Sequence, residues 1–309
     1  MKKKAPELFI DLHTHSTASD GTLAPAAIIA RASRERLGAC ALTDHDTISG
    51  LEEAELAARD TRVTFVRGCE LSTRSELGST HILGLWLPHD PKRLEPLEAA
   101  LAIERRHREE RNQRICQKLQ ELGMDVRYEE VCAAANGAVP GRPHIAQVLI
   151  DKKYAFSNND AFNMFLAAGK PAYVEREQME AQEAVALLKG CGALVGLAHP
   201  GLLKDPADRN RKASPQDVEA LIASLKDAGL DALEAFHSSH DARTEKLLMD
   251  LSGKYGLAVT GGSDFHGARK PSVRLGYVAT GPAQGHRIGM DVFKRLLDYL
   301  DRHGFDPEG

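Results

Sequence analysis

A short apolar run, Leu8-Phe9-Ile10, leads into Asp11-Leu12-His13-Thr14-His15, and a second, Leu257–Thr260, leads into Ser263-Asp264-Phe265-His266 near the other end of the 309-residue chain. Residues two apart on a strand face the same side. His13 and His15 therefore present two imidazoles to one point, and Asp264 and His266 present a carboxylate and an imidazole in the same way. The fold must bring strand ends from distant parts of the chain together.

The intervening sequence alternates strand and helix signals. Strands are expected at Leu8–Leu12, Ala39–Thr43, Val63–Arg67, His81–Leu87, Ala193–Ala198, Ala232–Phe236, Leu257–Gly261 and Leu275–Ala279. Helical segments fit at Pro25–Arg36, Ile48–Arg59, Ala181–Gly190, Ser214–Ala228 and Arg243–Tyr255. That rhythm belongs to an α/β fold with parallel strands. Residues 96–170 break it with a long charged helix at Glu98–Leu122 and shorter ones at Tyr128–Ala135, His144–Lys152 and Asn159–Ala168. We read 1–95 and 171–309 as a barrel and 96–170 as a helical subdomain inserted over its mouth. The alternative is two ordinary barrel helices with long loops. Asp205–Lys212 reads as a mobile polar loop.

Composition narrows the class. A hydrophobic content of 42% supports a substantial core, and a net charge of -4 argues against a protein that coats nucleic acid. Lys2-Lys3-Lys4 reads as a solvated tail. No apolar run is long enough for a signal peptide or a membrane span. The five cysteines are widely spaced and odd in number, which suits a reducing cytoplasm and free thiols. Cys69 adjoins Glu70 but shows no charge partner, so it reads as structural.

Almost every candidate ligand follows a predicted strand: His13, His15 and Asp20, then His45, Glu70, His199, and Asp264 with His266, while His81 opens the fourth strand. Parallel barrels gather functional groups at the carboxyl ends of their strands. Nine such groups exceed what one four-coordinate ion needs and suit two or three divalent ions. Imidazole and carboxylate without thiolate suit Mn, Zn or Fe. Isolated histidines such as His89, His107 and His303 read as surface residues. Asp44 and Asp46 flank His45, and one of them is expected to orient a ligand imidazole.

These segments resemble the PHP (polymerase and histidinol phosphatase) family. The resemblance rests on Asp11–Ser16 with Ser19-Asp20-Gly21, Leu42–Asp46, Gly68–Ser72, His81–Gly84, Ala198–Gly201 and Gly262–His266. It covers about two thirds of the chain and implies a distorted (β/α)7 barrel with a trinuclear metal centre. By resemblance, His13, His15, Glu70 and Asp264 hold the first ion, Glu70 bridges to a second held with His81 and His199, and Asp20, His45 and His266 hold the third. Within the insertion, Glu110–Arg114, Arg142–Ala146 and Gly169–Val174 are similar to the subfamily of 3′,5′-nucleotide bisphosphate phosphatases and 5′-3′ exoribonucleases.

The expected reaction is attack of metal-bound hydroxide on phosphorus, with no protein nucleophile. Arg142 is the first candidate for holding a substrate phosphate, because guanidinium binds phosphate through two parallel bonds. Lys170, His144 and His237 follow, and His240 is the candidate proton donor. The arginines of the long helix are expected to pair with Glu104, Glu109 and Glu110 along it, with Arg111 the exception if it faces the pocket. The expected substrate is a nucleotide 3′,5′-bisphosphate. The alternatives are short RNA attacked from its 5′ end, another small phosphate ester such as histidinol phosphate, and a non-catalytic metal-binding domain. The last is disfavoured because all nine ligand positions are filled and the chain ends soon after its last predicted helix. No membrane or obligate protein partner is expected.

Overall fold

The computed structural model describes residues 7–137, 139–279 and 285–305; the Lys2–Lys4 segment lies outside them. In chain order the elements are β1 (Phe9–Asp11), α1 (Pro25–Arg34), β2 (Leu37–Leu42), α2 (Leu51–Ala58), β3 (Thr64–Ser75), β4 (Gly78–Leu85), α3 (Pro91–Glu121), α4 (Tyr128–Ala135), α5 (Arg142–Asp151), α6 (Asn158–Ala161), α7 (Ala181–Cys191), β5 (Leu194–Leu197), α8 (Pro215–Ala228), β6 (Ala232–His237), α9 (Ala242–Tyr255), β7 (Ala258–Gly262), β8 (Val278–Ala279), β9 (Gly285–His286), β10 (Ile288–Gly289) and α10 (Met290–Arg302). No helix among the described residues is long and apolar enough to cross a membrane.

The main sheet runs β10-β1-β2-β3-β4-β5-β6-β7. It curls so that the chain just beyond β1 meets the chain at the end of β7. Leu12 N–H donates to Gly261 O at 3.1 Å, Asp264 N–H to His13 O at 2.9 Å and His15 N–H to Phe265 O at 2.9 Å. The start of β1 instead pairs with β10, through Phe9–Gly289 and Ile10–Ile288. The result is a seven-strand barrel with an extra strand wedged at the foot of its seam, an arrangement the sequence did not suggest.

Parallel order holds on either side of β4 but not at it. β4 runs antiparallel to both β3 and β5. The link over Ser75–Ser79 is a tight hairpin in which Ser75 pairs with Gly78. A connection that short can join only antiparallel neighbours; a parallel pair needs a crossover. Strand β3 accordingly runs on past Glu70, and His81 lies inside β4 opposite Ser72 rather than at its start. The strand expected at Leu275–Ala279 shrinks to β8, which pairs with β9 outside the barrel.

Alternation along the strands separates two apolar layers. Inside the barrel, Ile10, Leu12, Ala39, Ala41, Val66, Leu85 and Leu194 cluster with Val292, Phe293, Leu296 and Leu300 of α10. These α10 positions follow helical spacing and plug one end of the barrel. Outside, Cys40, Leu42, Cys69 and Leu197 pack against the surrounding helices. The other end of the barrel interior is polar, and there the candidate ligands lie.

Helix α3 starts earlier than its pattern suggests. Asp90 caps it by accepting the Lys92 N–H at 3.0 Å, Pro91 fits its first turn, and Pro96 sits inside. Its first half packs Leu94, Leu97 and Leu101 on the barrel, while Ile115, Cys116 and Leu119 enter a separate core with Val131, Ile145, Leu149 and Leu166. The helix expected at Asn159–Ala168 divides into α6 and a π-helical turn, Phe162–Leu166. The polar loop at Asp205–Lys212 is pinned: Arg209 donates to Leu77 O at 2.9 Å and Lys204 bridges to Lys212. All five cysteines are free.

The barrel seam leaves no space at Gly262. A Cβ there would lie 2.4 Å from both His13 N and His13 Cβ. Gly262→Ala should cost about 2–3 kcal/mol, read as a lower urea midpoint with an unchanged slope; a wild-type midpoint would contradict this seam geometry.

Candidate metal centre

The polar barrel end assembles donors from six strand ends or strands. His13 and His15 lie on the extension of β1, hydrogen-bonded to the extension of β7 that carries Asp264 and His266. Between His15 and α1 the chain doubles back, with Gly21 N–H donating to Ser16 O at 2.8 Å. A Cβ at Gly21 would lie 2.2 Å from His15 O, so only glycine permits the loop that sets Asp20 Oδ1 3.3 Å from His266 Nε2. His45 and Glu70 are bridged as parallel neighbours beyond β2 and within β3. His81 comes from β4 and His199 follows β5. His199, Asp264 and Asp46 have φ of +32°, +57° and +51°, left-handed conformations that cost energy in non-glycine residues and concentrate at functional sites.

Glu70 is the hub. His13, His15 and His45 approach its Oε2 at 3.3, 3.2 and 3.0 Å, and His81 and His199 approach its Oε1 at 2.8 and 3.0 Å. Asp264 Oδ1 lies 3.3 Å from both His15 and His266. Four overlapping donor groups result: His15, Asp20, His45 and His266; His13, His15 and Asp264; His13, Glu70 and His199; His45, Glu70 and His81. All nine expected side chains fall within them.

The donor set fits divalent cations. Buried atoms with no hydrogen-bond partner include Glu70 Oε2, Asp20 Oδ1, His45 Nδ1 and His15 Nδ1. His13 Nε2 and His15 Nε2 stand 3.1 Å apart. Glu234 Oε1 accepts the His13 Nδ1–H at 2.9 Å, which leaves the His13 Nε2 lone pair aimed into the cluster. His266 Nδ1–H likewise donates to Asp264 O at 2.8 Å and frees Nε2. Burial alone would lower the His45 pKa, yet Glu70 and Asp20 raise it to about 9. Bound cations would supply the positive charge that these carboxylates draw onto His45.

Glu234 escaped the sequence reading. Its other oxygen accepts the His199 N–H at 2.7 Å, so one buried carboxylate positions candidate ligands on two strands. The signal was present: a single charged residue in the otherwise apolar Ala232–Phe236 run. Glu234, not Asp44 or Asp46, is the imidazole acceptor. Asp44 holds Ser16 and Ser19, and Asp46 takes the Ser72 N–H and the Arg108 guanidinium.

Several expected substrate contacts are placed elsewhere. His240 has both ring nitrogens occupied, Nδ1–H donating to Ala235 O and Nε2 accepting the Gly201 N–H, and burial pushes it to about 4. It pins the turn after His199 and has no proton to offer a substrate. His237 is fully buried beneath the donors; its Nδ1 accepts the Ser239 N–H, and its Nε2 faces Asp264 Oδ2 at 3.5 Å. His144 Nδ1 accepts the Gly141 N–H at the start of α5, and burial pushes that ring to about 4. Lys170 is exposed, on a turn that directs Tyr173 rather than Lys170 to the cavity.

Arg142 does reach the site. It lines a cavity of about 220 Å³ whose wall carries Asp20, His45 and His81 on one side and Arg108, Arg111, Arg142 and Arg176 from the insertion and the segment after it. Arg108 pairs with Asp46 across the interface instead of along its helix, and Arg176 lies 3.5 Å from both Asp46 and Glu104. Burial alone would raise the Asp46 carboxyl, but Arg108 and Arg176 pull it down to about 2. Burial and the neighbouring guanidiniums hold Arg111 well below the usual arginine range. Four guanidiniums line the cavity with one carboxylate, Asp20, and Asp46 and Glu104 pair with two of them from behind, so positive charge is in excess and suits an anion. Arg111 faces the pocket, as the sequence allowed, and helical spacing could have identified Arg108 too: it falls on the stripe of α3 that carries Leu94, Leu97, Leu101, Glu104, Arg111, Ile115 and Leu119.

Comparison with known proteins is consistent with this architecture. The sequence pattern of the PHP domain matches residues 11–228. A 3′,5′-nucleoside bisphosphate phosphatase of Chromobacterium violaceum is 30% identical over 294 residues, 94% of this chain and 99% of that one. A 5′-3′ exoribonuclease of Haemophilus influenzae is 32% identical over 256 residues, 83% of this chain and 89% of that one. A solved structure from Bifidobacterium adolescentis, assigned as a metal-dependent phosphoesterase, aligns with a TM-score of 0.80 at 29% identity, covering 97% of this chain and 98% of that one.

Glu234→Gln replaces an acceptor facing two N–H groups with an amide that can satisfy only one. Metal affinity should fall about 10–100-fold, measured by titration against a competing chelator. Affinity equal to wild type would show that Glu234 does not orient His13.

Proposed function

The chain belongs to the PHP family and is a phosphoric ester hydrolase, and on that premise we propose that its substrate is a nucleotide 3′,5′-bisphosphate. The observation that carries this reading is the cavity with two unlike walls, one of histidine and carboxylate donors that would take a phosphate through bound cations and one of guanidiniums that bind phosphate directly. A substrate with two phosphates matches both walls at once. A monophosphate leaves one of them unused.

His13, His15, Asp20, His45, Glu70, His81, His199, Asp264 and His266 are the side chains that would hold the ions. Divalent ions there would supply positive charge to the phosphoryl group and activate a water for attack. Arg142, Arg108 and Arg176 would bind the other phosphate and fix the reacting ester against the donor wall, which removes most of the orientational cost of reaction. Lys270 Nζ, 2.5 Å from Asp264 Oδ2, adds a protein cation at the donor wall. His240 is left out of the reaction by its two backbone hydrogen bonds.

The alternative is short RNA attacked from its 5′ end; a second hollow of about 180 Å³ beside Arg111 and Arg176 does not favour it, because Glu110, Glu175 and Glu177 line that hollow together with Arg114. Phosphate release from adenosine 3′,5′-bisphosphate, 5′-phosphorylated RNA, adenosine monophosphates and histidinol phosphate, with Mn, Zn or Fe, separates these readings. We expect the highest kcat/KM on the bisphosphate; a higher value on histidinol phosphate or on RNA would overturn the choice.

Substitutions should separate the two walls. Asp264→Asn should reduce kcat by at least about 100-fold. Arg142→Ala should raise KM about 10–100-fold with a smaller change in kcat, since it loses a charge-assisted phosphate contact. Full turnover in Asp264→Asn would refute the assignment of that carboxylate.

A further inference from the structure

The aromatic residues of the insertion are not equivalent. Tyr154 accepts the Asp125 N–H at 3.2 Å through its hydroxyl, and Phe165 packs against the core formed by α4 and α5, as Phe162 also does. Phe156 is 97% exposed. Of the four aromatics between residues 154 and 165, Phe162 lines the cavity, and Tyr173 lines it too. Phe162 opens the π-helical turn Phe162–Leu166, closed by Ala167 N–H donating to Phe162 O at 2.9 Å. Isolated π turns concentrate at functional sites, because the wider turn re-aims a side chain at the expense of helix regularity.

Arg142 joins this aromatic edge to the cationic wall. Its guanidinium carbon lies 5.7 Å from the centre of the Phe162 ring, and its Nη1 donates to Leu166 O at 3.4 Å. The cavity therefore presents a cluster of guanidiniums together with two half-buried aromatic side chains. A phosphate group uses the first and gains nothing from the second. A flat, uncharged ring carried a few bonds from a phosphate uses both.

We propose that Phe162 and Tyr173 form a nucleobase platform, so that this enzyme selects a base-bearing substrate over an equally phosphorylated sugar. The inference rests on the phosphoesterase reading above and adds the part of the substrate that the insertion recognises. Stacking is tolerant of base identity because every base has a π face. The platform therefore distinguishes nucleotides from sugar phosphates and does not distinguish adenine from uracil.

The test uses the full metal-loaded chain and two comparisons. Calorimetric titration with adenosine 5′-monophosphate and with ribose 5-phosphate measures the contribution of the base without turnover. Phosphate release from adenosine 3′,5′-bisphosphate and from its abasic ribose analogue measures the same preference in KM. The wild type should favour the base-bearing partner by about ten-fold in each assay. Phe162→Ala should abolish that preference by weakening only the base-bearing ligand, and Phe162→Tyr should keep it. Equal affinity for the two ligands in the wild type, or a preference unchanged in Phe162→Ala, overturns the platform even if both bisphosphates are hydrolysed. A ten-fold, Phe162-dependent preference in binding with no phosphate release from either bisphosphate would uphold the platform and refute the proposed substrate instead.

Discussion

Glu70 has no exposed surface, and five imidazoles approach its two oxygens within 3.3 Å. A buried carboxylate surrounded by lone-pair donors is a costly arrangement unless positive charge is shared among them. The barrel is built around that requirement. Its seam joins His13 to Asp264, its hairpin returns His81 opposite the region of Glu70, and the turn pinned by His240 holds His199 in place. Buried residues that provide none of the nine donors, Glu234, Asp11 and Asp44, hold backbone or imidazole N–H groups and Ser16, Ser19 and Ser263 hydroxyls in register.

The two ends of the barrel divide the work. Helix α10 fills one end with Phe293, Leu296 and Leu300, so apolar packing stabilises the strands from below. The other end is left for polar groups. The chain between β4 and α7 then supplies a wall of guanidiniums held in place by Asp46 and Glu104. Because Asp46 follows His45 directly, the ion pairs that anchor the insertion are tied to the same loop that positions a candidate ligand.

Much of this was legible in the sequence, for definite reasons. The clustering of these nine side chains could be read because all but Asp20 lie in or just after an apolar run, and strand ends converge in a barrel of this class. The reversal of β4 could not be read by period, since a two-sided buried strand looks the same in either direction; the shortness of the link between Ser75 and Ser79 was the available clue. The wedge of β10 at the seam involves only two residues, too few for any periodic signal. His240 reads as an acid because a histidine after a strand looks like one until both of its ring nitrogens are traced to backbone groups. Arg108 looked like a surface cation because its neighbours Glu104 and Glu109 offered partners nearby, although its place in the buried stripe of α3 pointed inward.

The claim that these side chains gather several cations is tested most directly by anomalous diffraction from crystals loaded with Mn, Zn or Fe. More than one ion should be found among the nine donors, with Glu70 and Asp264 within coordination distance of about 2.0–2.6 Å. Crystals loaded under the same conditions that show no anomalous peak among those residues would contradict the account.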